Sequence, residues 1–145
     1  MRLVLQRVSS ASVIVWGQSI AEIRRGILVL AAAGHDDTPE SAARAARKIA
    51  ELRIFADLEG KMNQSALDIR GEILVVSQFT LLADTSKGRR PSFVKSAPGE
   101  VAEPLIQEMA DQLKALGLRV KQGRFGSDMQ VSLVNDGPVT LILDV

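Results

Sequence analysis

Two stretches of the chain carry polar groups where a core strand has no need of them. One is Ser77-Gln78-Phe79-Thr80, which ends an apolar run beginning at Ile73 in two hydroxyls and an amide. Strand-end hydroxyls ordinarily satisfy neighbouring backbone groups. The functional alternative is a site where side chains and unpaired backbone N–H groups meet a substrate carbonyl, the arrangement that stabilises a developing oxyanion. No base stands beside Ser77 or Thr80 in the sequence. His35, the single histidine, could serve as one only if the fold brings Gly34-His35-Asp36-Asp37 alongside, and a loop histidine is more often simply solvated. The other stretch is Asn135-Asp136-Gly137-Pro138-Val139-Thr140. Asp-Gly between two apolar segments is an ordinary hairpin signal. Pro138 is unusual there, because it brings no N–H to a ladder and a Gly-Pro bond can be cis, giving a rigid corner without a side chain.

Charge adds two further candidates. Lys87, Arg89, Arg90 and Lys95 stand against Asp84 alone in a loop rich in Gly, Pro and Ser, and Arg119, Lys121 and Arg124 follow with no acid among them. A solvated surface explains each cluster, but a loop with four cations also suits phosphates. The total is nearly neutral, 18 Lys and Arg against 17 Asp and Glu, so a polyanion would have to be met by such a local patch rather than by a global field.

Composition removes several other chemistries. There is no cysteine, which excludes disulfides, thiolate nucleophiles and Cys-based zinc sites, and one histidine leaves no multi-histidine metal site. Four Phe, one Trp and no Tyr are too few for the stacking surface of sheet-type single-strand RNA binders. The chain has no GxGxxG, Walker, GxSxG or HExxH pattern. No metal and no cofactor is expected. The longest uninterrupted apolar run, Ile27 to Ala33, is far too short for a membrane-spanning helix, so no membrane partner and a cytoplasmic location are expected.

The elements that must position these groups fit in a single domain, residues 1–145, with 46% hydrophobic residues and no repeat or linker. Leu3 to Val15 reads as one or two strands, Trp16 to Ser19 as a turn, and Ile20 to Ile23 as a strand. The run Ile27 to Ala33 lacks alternation and suits a strand covered on both faces. Thr38-Pro39-Glu40 is a helix start; Ala42, Ala45, Ala46, Ile49 and Leu52 form its apolar stripe, with Arg44, Arg47, Lys48 and Glu51 opposite. A second helix is expected from Glu100 to Leu116, with Met109 in the core and Gly117 as its stop. Further strands are expected at Leu52–Ala56, Ile73–Phe79, Leu118–Arg124, Met129–Val134 and Val139–Asp144, the last two close enough for a hairpin. The pattern is α/β, with layered mixed sheets and two main helices on one side.

Taken together, Ser77-Gln78-Phe79-Thr80, Gly88-Arg89-Arg90-Pro91-Ser92-Phe93, Gly123-Arg124-Phe125-Gly126 and Asn135-Asp136-Gly137-Pro138-Val139-Thr140 resemble the bacterial D-aminoacyl-tRNA deacylase family. The resemblance extends to Met1-Arg2-Leu3-Val4-Leu5-Gln6-Arg7-Val8 and Gly60-Lys61-Met62-Asn63 and runs end to end. It implies that family's fold, an intertwined homodimer, and hydrolysis of the ester joining a D-amino acid or glycine to tRNA while L-aminoacyl-tRNA is spared. By the same resemblance, Ser77, Gln78, Phe79 and Thr80 line the pocket and Gly137-Pro138, as a cis peptide, enters the partner subunit's pocket to exclude L side chains. Phe125 and Gly126 would neighbour the terminal adenosine, with Gly126 tolerant of alanine. The attacking group would be water helped by the ribose 2′-OH, or Thr80. Two readings from other classes remain open: a non-catalytic tRNA- or RNA-binding module using the basic loop, and a structural dimerisation domain.

Overall fold

The computed structural model describes all of residues 1–145. Eight strands and two α-helices follow in the order β1 (Arg2–Val15), β2 (Gln18–Ile23), β3 (Gly26–Ala32), α1 (Pro39–Glu51), β4 (Phe55–Ala56), β5 (Met62–Gln64), β6 (Glu72–Ser77), a 3₁₀ turn (Phe79–Leu82), α2 (Gly99–Ala115), β7 (Arg119–Gln122) and β8 (Gln130–Asp144). The main sheet has the order β2-β1-β3-β6-β7, with β8 added along β1. β3, β6 and β7 run parallel and the remaining pairs antiparallel, so the sheet is mixed. β4 and β5 form a separate small ribbon.

β1 serves both faces of this sheet. Leu3 and Leu5 enter the core under the helices, whereas Val8, Ala11, Val13 and Val15 enter a second core on the opposite face. Its register against β8 slips between Val8 and Ser10, and that slip keeps alternate residues inward in the second half. β3 and β6 are sandwiched between the two cores: Ile27, Val29, Ile73 and Val75 face the helices, and Leu28, Leu74 and Val76 face away. The continuous apolar run of β3 thus has the two-sided cover its composition suggests.

Both helices lie on one face. α1 begins with a reciprocal cap in which the Thr38 hydroxyl accepts from the Ser41 N–H and the Ser41 hydroxyl accepts from the Thr38 N–H. Its alanine stripe with Ile49 is fully buried, and Arg44, Arg47, Lys48 and Glu51 are exposed. Met109 of α2 is completely buried.

The structure departs from the sequence reading in several places: it adds the short β5 strand, starts β2 at Gln18 and confines β7 to Arg119–Gln122. β6 ends at Ser77 rather than Phe79, because the Gln78 N–H makes the last bond to its neighbour, at the Ala31 carbonyl, and the chain then coils. Of Leu52–Ala56 only Phe55–Ala56 is strand, since Leu52 still caps α1. Most consequentially, Asn135–Pro138 is not a hairpin. β8 is one strand whose two halves pair in the same direction with β1, Val131 to Val134 with Val13 to Ser10 and Thr140 to Asp144 with Gln6 to Arg2. Between the partners of Gln6 and Val8, Thr140 and Asn135, four residues stand opposite Arg7 alone, so the chain must bulge outward there.

Candidate active site

A cavity of about 320 Å³ opens where the ends of β3 and β6 meet the start of α2. Its floor is Ala31, Ala32 and Ala33, its walls are Ser77, Gln78 and Phe79 on one side and Ala97, Gly99, Ala102 and Ile106 on the other, and Phe125 with Gly126 forms its rim. Small residues at the strand end leave the space open. The ladder holds both walls, through Gln78 N–H to the Ala31 carbonyl at 2.8 Å and Ala97 N–H to the Ala33 carbonyl at 2.9 Å.

No lining residue is ionisable. The polar groups on offer are the Ser77 hydroxyl, the Gln78 amide and backbone N–H groups. The first hydrogen bond of the 3₁₀ turn runs from Leu81 N–H to the Gln78 carbonyl, which leaves the N–H groups of Phe79 and Thr80 unclaimed by the turn. At the opposite wall α2 has Pro98 as its N-cap, with no side-chain cap, and its first bonds are donated by Val101 and Ala102, so the N–H groups of Gly99 and Glu100 are equally free of it. Of these residues Phe79 and Gly99 line the apolar chamber from opposite walls, and their free N–H groups suit an ester carbonyl whose oxygen gains charge during reaction. Thr80 is exposed and does not line the cavity; its hydroxyl accepts a hydrogen bond from the Gln78 side-chain amide. His35 is elsewhere, its Nε2 2.9 Å from the Val94 carbonyl.

The basic loop adjoins this chamber. Phe93 meets Phe79 edge to face at a centroid distance of 5.0 Å, and the Ser96 hydroxyl donates to the Phe79 carbonyl at 3.1 Å. Lys87, Arg89, Arg90 and Lys95 are all exposed and outside every ion pair. Asp84, the loop's only acid, is held below its usual pKa by hydrogen bonds from Ser86, and more weakly by the Lys95 charge.

The Asn135–Thr140 bulge is elsewhere, and none of its residues lines the cavity. Its Gly137-Pro138 bond is cis. Arg7 braces it: Nε donates to the Asp136 carbonyl at 3.0 Å and pairs with the Asp136 carboxylate at 3.3 Å, while Nη1 donates to the Ile54 carbonyl. Asn135 closes the bulge, accepting from Val139 N–H at 3.0 Å and donating to the Thr140 hydroxyl at 2.8 Å.

The family model described as D-Tyr-tRNA(Tyr) deacylase matches residues 4–144. The chain belongs to that family. A D-aminoacyl-tRNA deacylase of Roseiflexus castenholzii is 58% identical over 99% of this chain and 92% of its own length, and one of Thermosipho africanus is 54% identical over 99% and 97%. Among solved structures, one titled "c-Myc DNA Unwinding Element Binding Protein" is 43% identical, with a TM-score of 0.93 over 100% of this chain and 99% of that one. A probable eukaryotic D-amino acid tRNA deacylase at 21% identity shares the fold, with a TM-score of 0.87 over 99% and 98%. Membership makes the chain an enzyme, a hydrolase of D-aminoacyl-tRNA esters. No helix is long and apolar enough to cross a membrane.

The structure brings Ser77, Gln78, Phe79, Phe125 and Gly126 to one cavity and leaves Thr80 beside it and Gly137-Pro138 away from it. Gly126 has open space for a methyl group but sits at φ +69°, where an L residue is disfavoured, so an alanine there is less innocuous than its size suggests. Sequence reasoning passed over Arg7, the alanine floor and the α2 start. For Arg7 the available signal was a cation interrupting an apolar strand; for the floor, three consecutive alanines ending one.

Proposed function

We propose that the cavity is where the tRNA ester is cut and that the Gly137-Pro138 corner acts in the cavity of a second copy of the chain. The observation supporting the first part is a chamber without ionisable lining, flanked by unspent backbone N–H groups. In this reading the aminoacyl ester enters past Phe125 and Gly126, which neighbour the terminal adenosine, and its carbonyl oxygen accepts from the Phe79 and Thr80 N–H groups. A water, oriented with help from the ribose 2′-OH, adds its oxygen to the carbonyl carbon. The ester C–O bond then breaks, and the ribose oxygen takes the proton that the water gives up. Such positioning and oxyanion stabilisation need no side-chain nucleophile. Ser77 and Gln78 orient the ester, and Thr80 positions Gln78.

The corner's location supports a role for it in a partner's cavity. It projects from the sheet, is held rigidly, and has nothing of its own chain's cavity to act on. Val134 and Ile142 on β8 are exposed beside it, an apolar surface that a homodimer would cover. A backbone corner standing where an L side chain must project rejects it by clash, which discriminates more strongly than attraction to a D side chain could. Glycine has no side chain to reject, so glycyl-tRNA is a substrate as well. Lys87, Arg89, Arg90 and Lys95 meet tRNA phosphates, and the enzyme works in the cytoplasm, clearing mischarged tRNA before translation uses it.

Incubating the protein with D-tyrosyl-, L-tyrosyl- and glycyl-tRNA tests the reading. Accelerated loss of the first and third esters with the second at background is expected. Binding to all three without hydrolysis would indicate an RNA-binding module, no affinity for any a purely structural role, and rapid L-ester hydrolysis would overturn the selection mechanism.

A further inference from the structure

Trp16, the chain's one tryptophan, occupies a place that neither packing nor backbone preference explains. It opens the two-residue turn between β1 and β2, where Val15 pairs with Gln18 and both turn residues have positive φ, 50° at Trp16 and 75° at Gly17. Turns of this type favour Asn, Asp or Gly, and a bulky aromatic at positive φ is an outlier. Nor is the ring repaid by burial, since the residue is 80% exposed. Backbone outliers that persist without a packing reason point toward function.

The ring's neighbour supplies the direction. The Arg124 guanidinium lies over it, 4.8 Å from the centroid, and Arg124 takes part in none of the chain's ion pairs. The backbone around Arg124 is anchored by Gly123 N–H to the Val75 carbonyl at 2.9 Å and by Ser127 N–H to the Arg124 carbonyl at 3.3 Å. The next two residues, Phe125 and Gly126, are the rim of the cavity. An exposed indole and the unpaired cation over one of its faces are thus held close to the cavity mouth, with Lys121 exposed on the adjoining strand.

We propose that Trp16 and Arg124 form a stacking platform for an unpaired base of the RNA strand leading into the cavity, that of the nucleotide preceding the esterified one. The proposal rests on the reading of the cavity as the ester site. Every base offers a π-face to the indole face that Arg124 leaves open, and the guanidinium over the other face meets the intervening phosphate, so the platform adds affinity for the strand without reading its sequence. It lies outside the chamber in which the ester is cut, so it acts on binding rather than on the chemical step.

Because Trp16 is the only tryptophan, its emission reports directly on the platform. Two probes are compared: a short RNA ending in CCA with a D-amino acid in non-hydrolysable amide linkage at its 3′ end, and the corresponding single nucleoside. The RNA is expected to change Trp16 emission on binding and the nucleoside to leave it unchanged. In parallel, Trp16→Asn, which suits the turn and removes the ring, is expected to raise KM for D-aminoacyl-tRNA about tenfold with kcat retained. The same variant should cleave a D-aminoacyl-adenosine as well as the wild type does. Unchanged emission at saturating RNA, or an unchanged KM for tRNA, would overturn the platform. A wild-type protein that cleaves neither ester would instead overturn the reading of the cavity.

Discussion

The cavity and the Asn135–Thr140 corner spend their polar groups in opposite ways. Around the cavity, four segments of one chain converge on an empty space and leave backbone N–H groups of the 3₁₀ turn and of α2 without acceptors from those elements. At the corner the side chains of Arg7 and Asn135 tie down the bulge's own backbone, and none of its residues lines the chain's own cavity. Donors left free in a concave site are available to a substrate whose charge changes. Groups consumed in bracing a convex one make it stiff. The first is how a reaction is stabilised, and the second is how a shape is rejected, so in the proposed function catalysis and selection belong to different parts of the fold.

The largest effect is expected from closing the cavity. Ala102→Phe places a ring into the chamber from α2 and should lower kcat/KM for D-tyrosyl-tRNA by at least about a hundredfold, as misplacing a substrate by an ångström does. A thermal melt near that of the wild type would show that the fold persists. Full activity in this variant would remove the cavity from the mechanism.

Next comes the corner. A Cβ on Gly137 would sit 2.9 Å from Arg7 Nη2 and 3.1 Å from the Val139 backbone nitrogen, at φ +133°. Gly137→Val should therefore displace the bulge, at a strain of roughly 1–3 kcal/mol, and reduce D-ester hydrolysis about tenfold or more with the variant's own cavity intact. Preferential loss of D over L discrimination in the ratio of the two rates would sharpen the division of roles. Unaltered rates on both esters would break it.

Smaller changes are expected at the periphery of the chamber. Thr80→Ala removes only the acceptor that holds the Gln78 amide, so the rate should fall about tenfold rather than vanish. Complete loss, or an acyl group trapped on Thr80, would favour covalent catalysis instead. Replacing Lys87, Arg89 and Arg90 by alanine together should weaken tRNA binding and lessen the slope of its logarithm against log salt by about two. An unchanged slope would place the phosphates elsewhere.

The two regions also differed in how far they could be read without coordinates. Hydrophobic period and caps located both helices, and the unbroken run at Ile27 announced a strand buried on both faces. The Ser77–Thr80 end was legible as a site because hydroxyls and an amide follow an apolar strand. Its chamber was not, since Ala33, Ala97 and Gly99 acquire their meaning only when parallel β3 and β6 bring two strand ends beside a helix start. Asn135-Asp136-Gly137 carried a local turn signal that was overridden by pairing. Both flanks of the bulge find partners along the same β1 strand, so the chain continues instead of reversing. Arg7 looked like a mere interruption because its partners, at Asp136 and Ile54, lie far away in sequence.

Mixing two damaged chains tests the central claim, that each site combines one subunit's cavity with the other's corner. Ala102→Phe and Gly137→Val subunits, each impaired when alone, are co-expressed with different affinity tags and the mixed species is isolated. If sites are composite, each mixed dimer holds one site with both parts intact, and unfractionated co-expression should recover about a quarter of wild-type activity. A purified mixed species with no more D-tyrosyl-tRNA hydrolysis than its two parents would contradict the account.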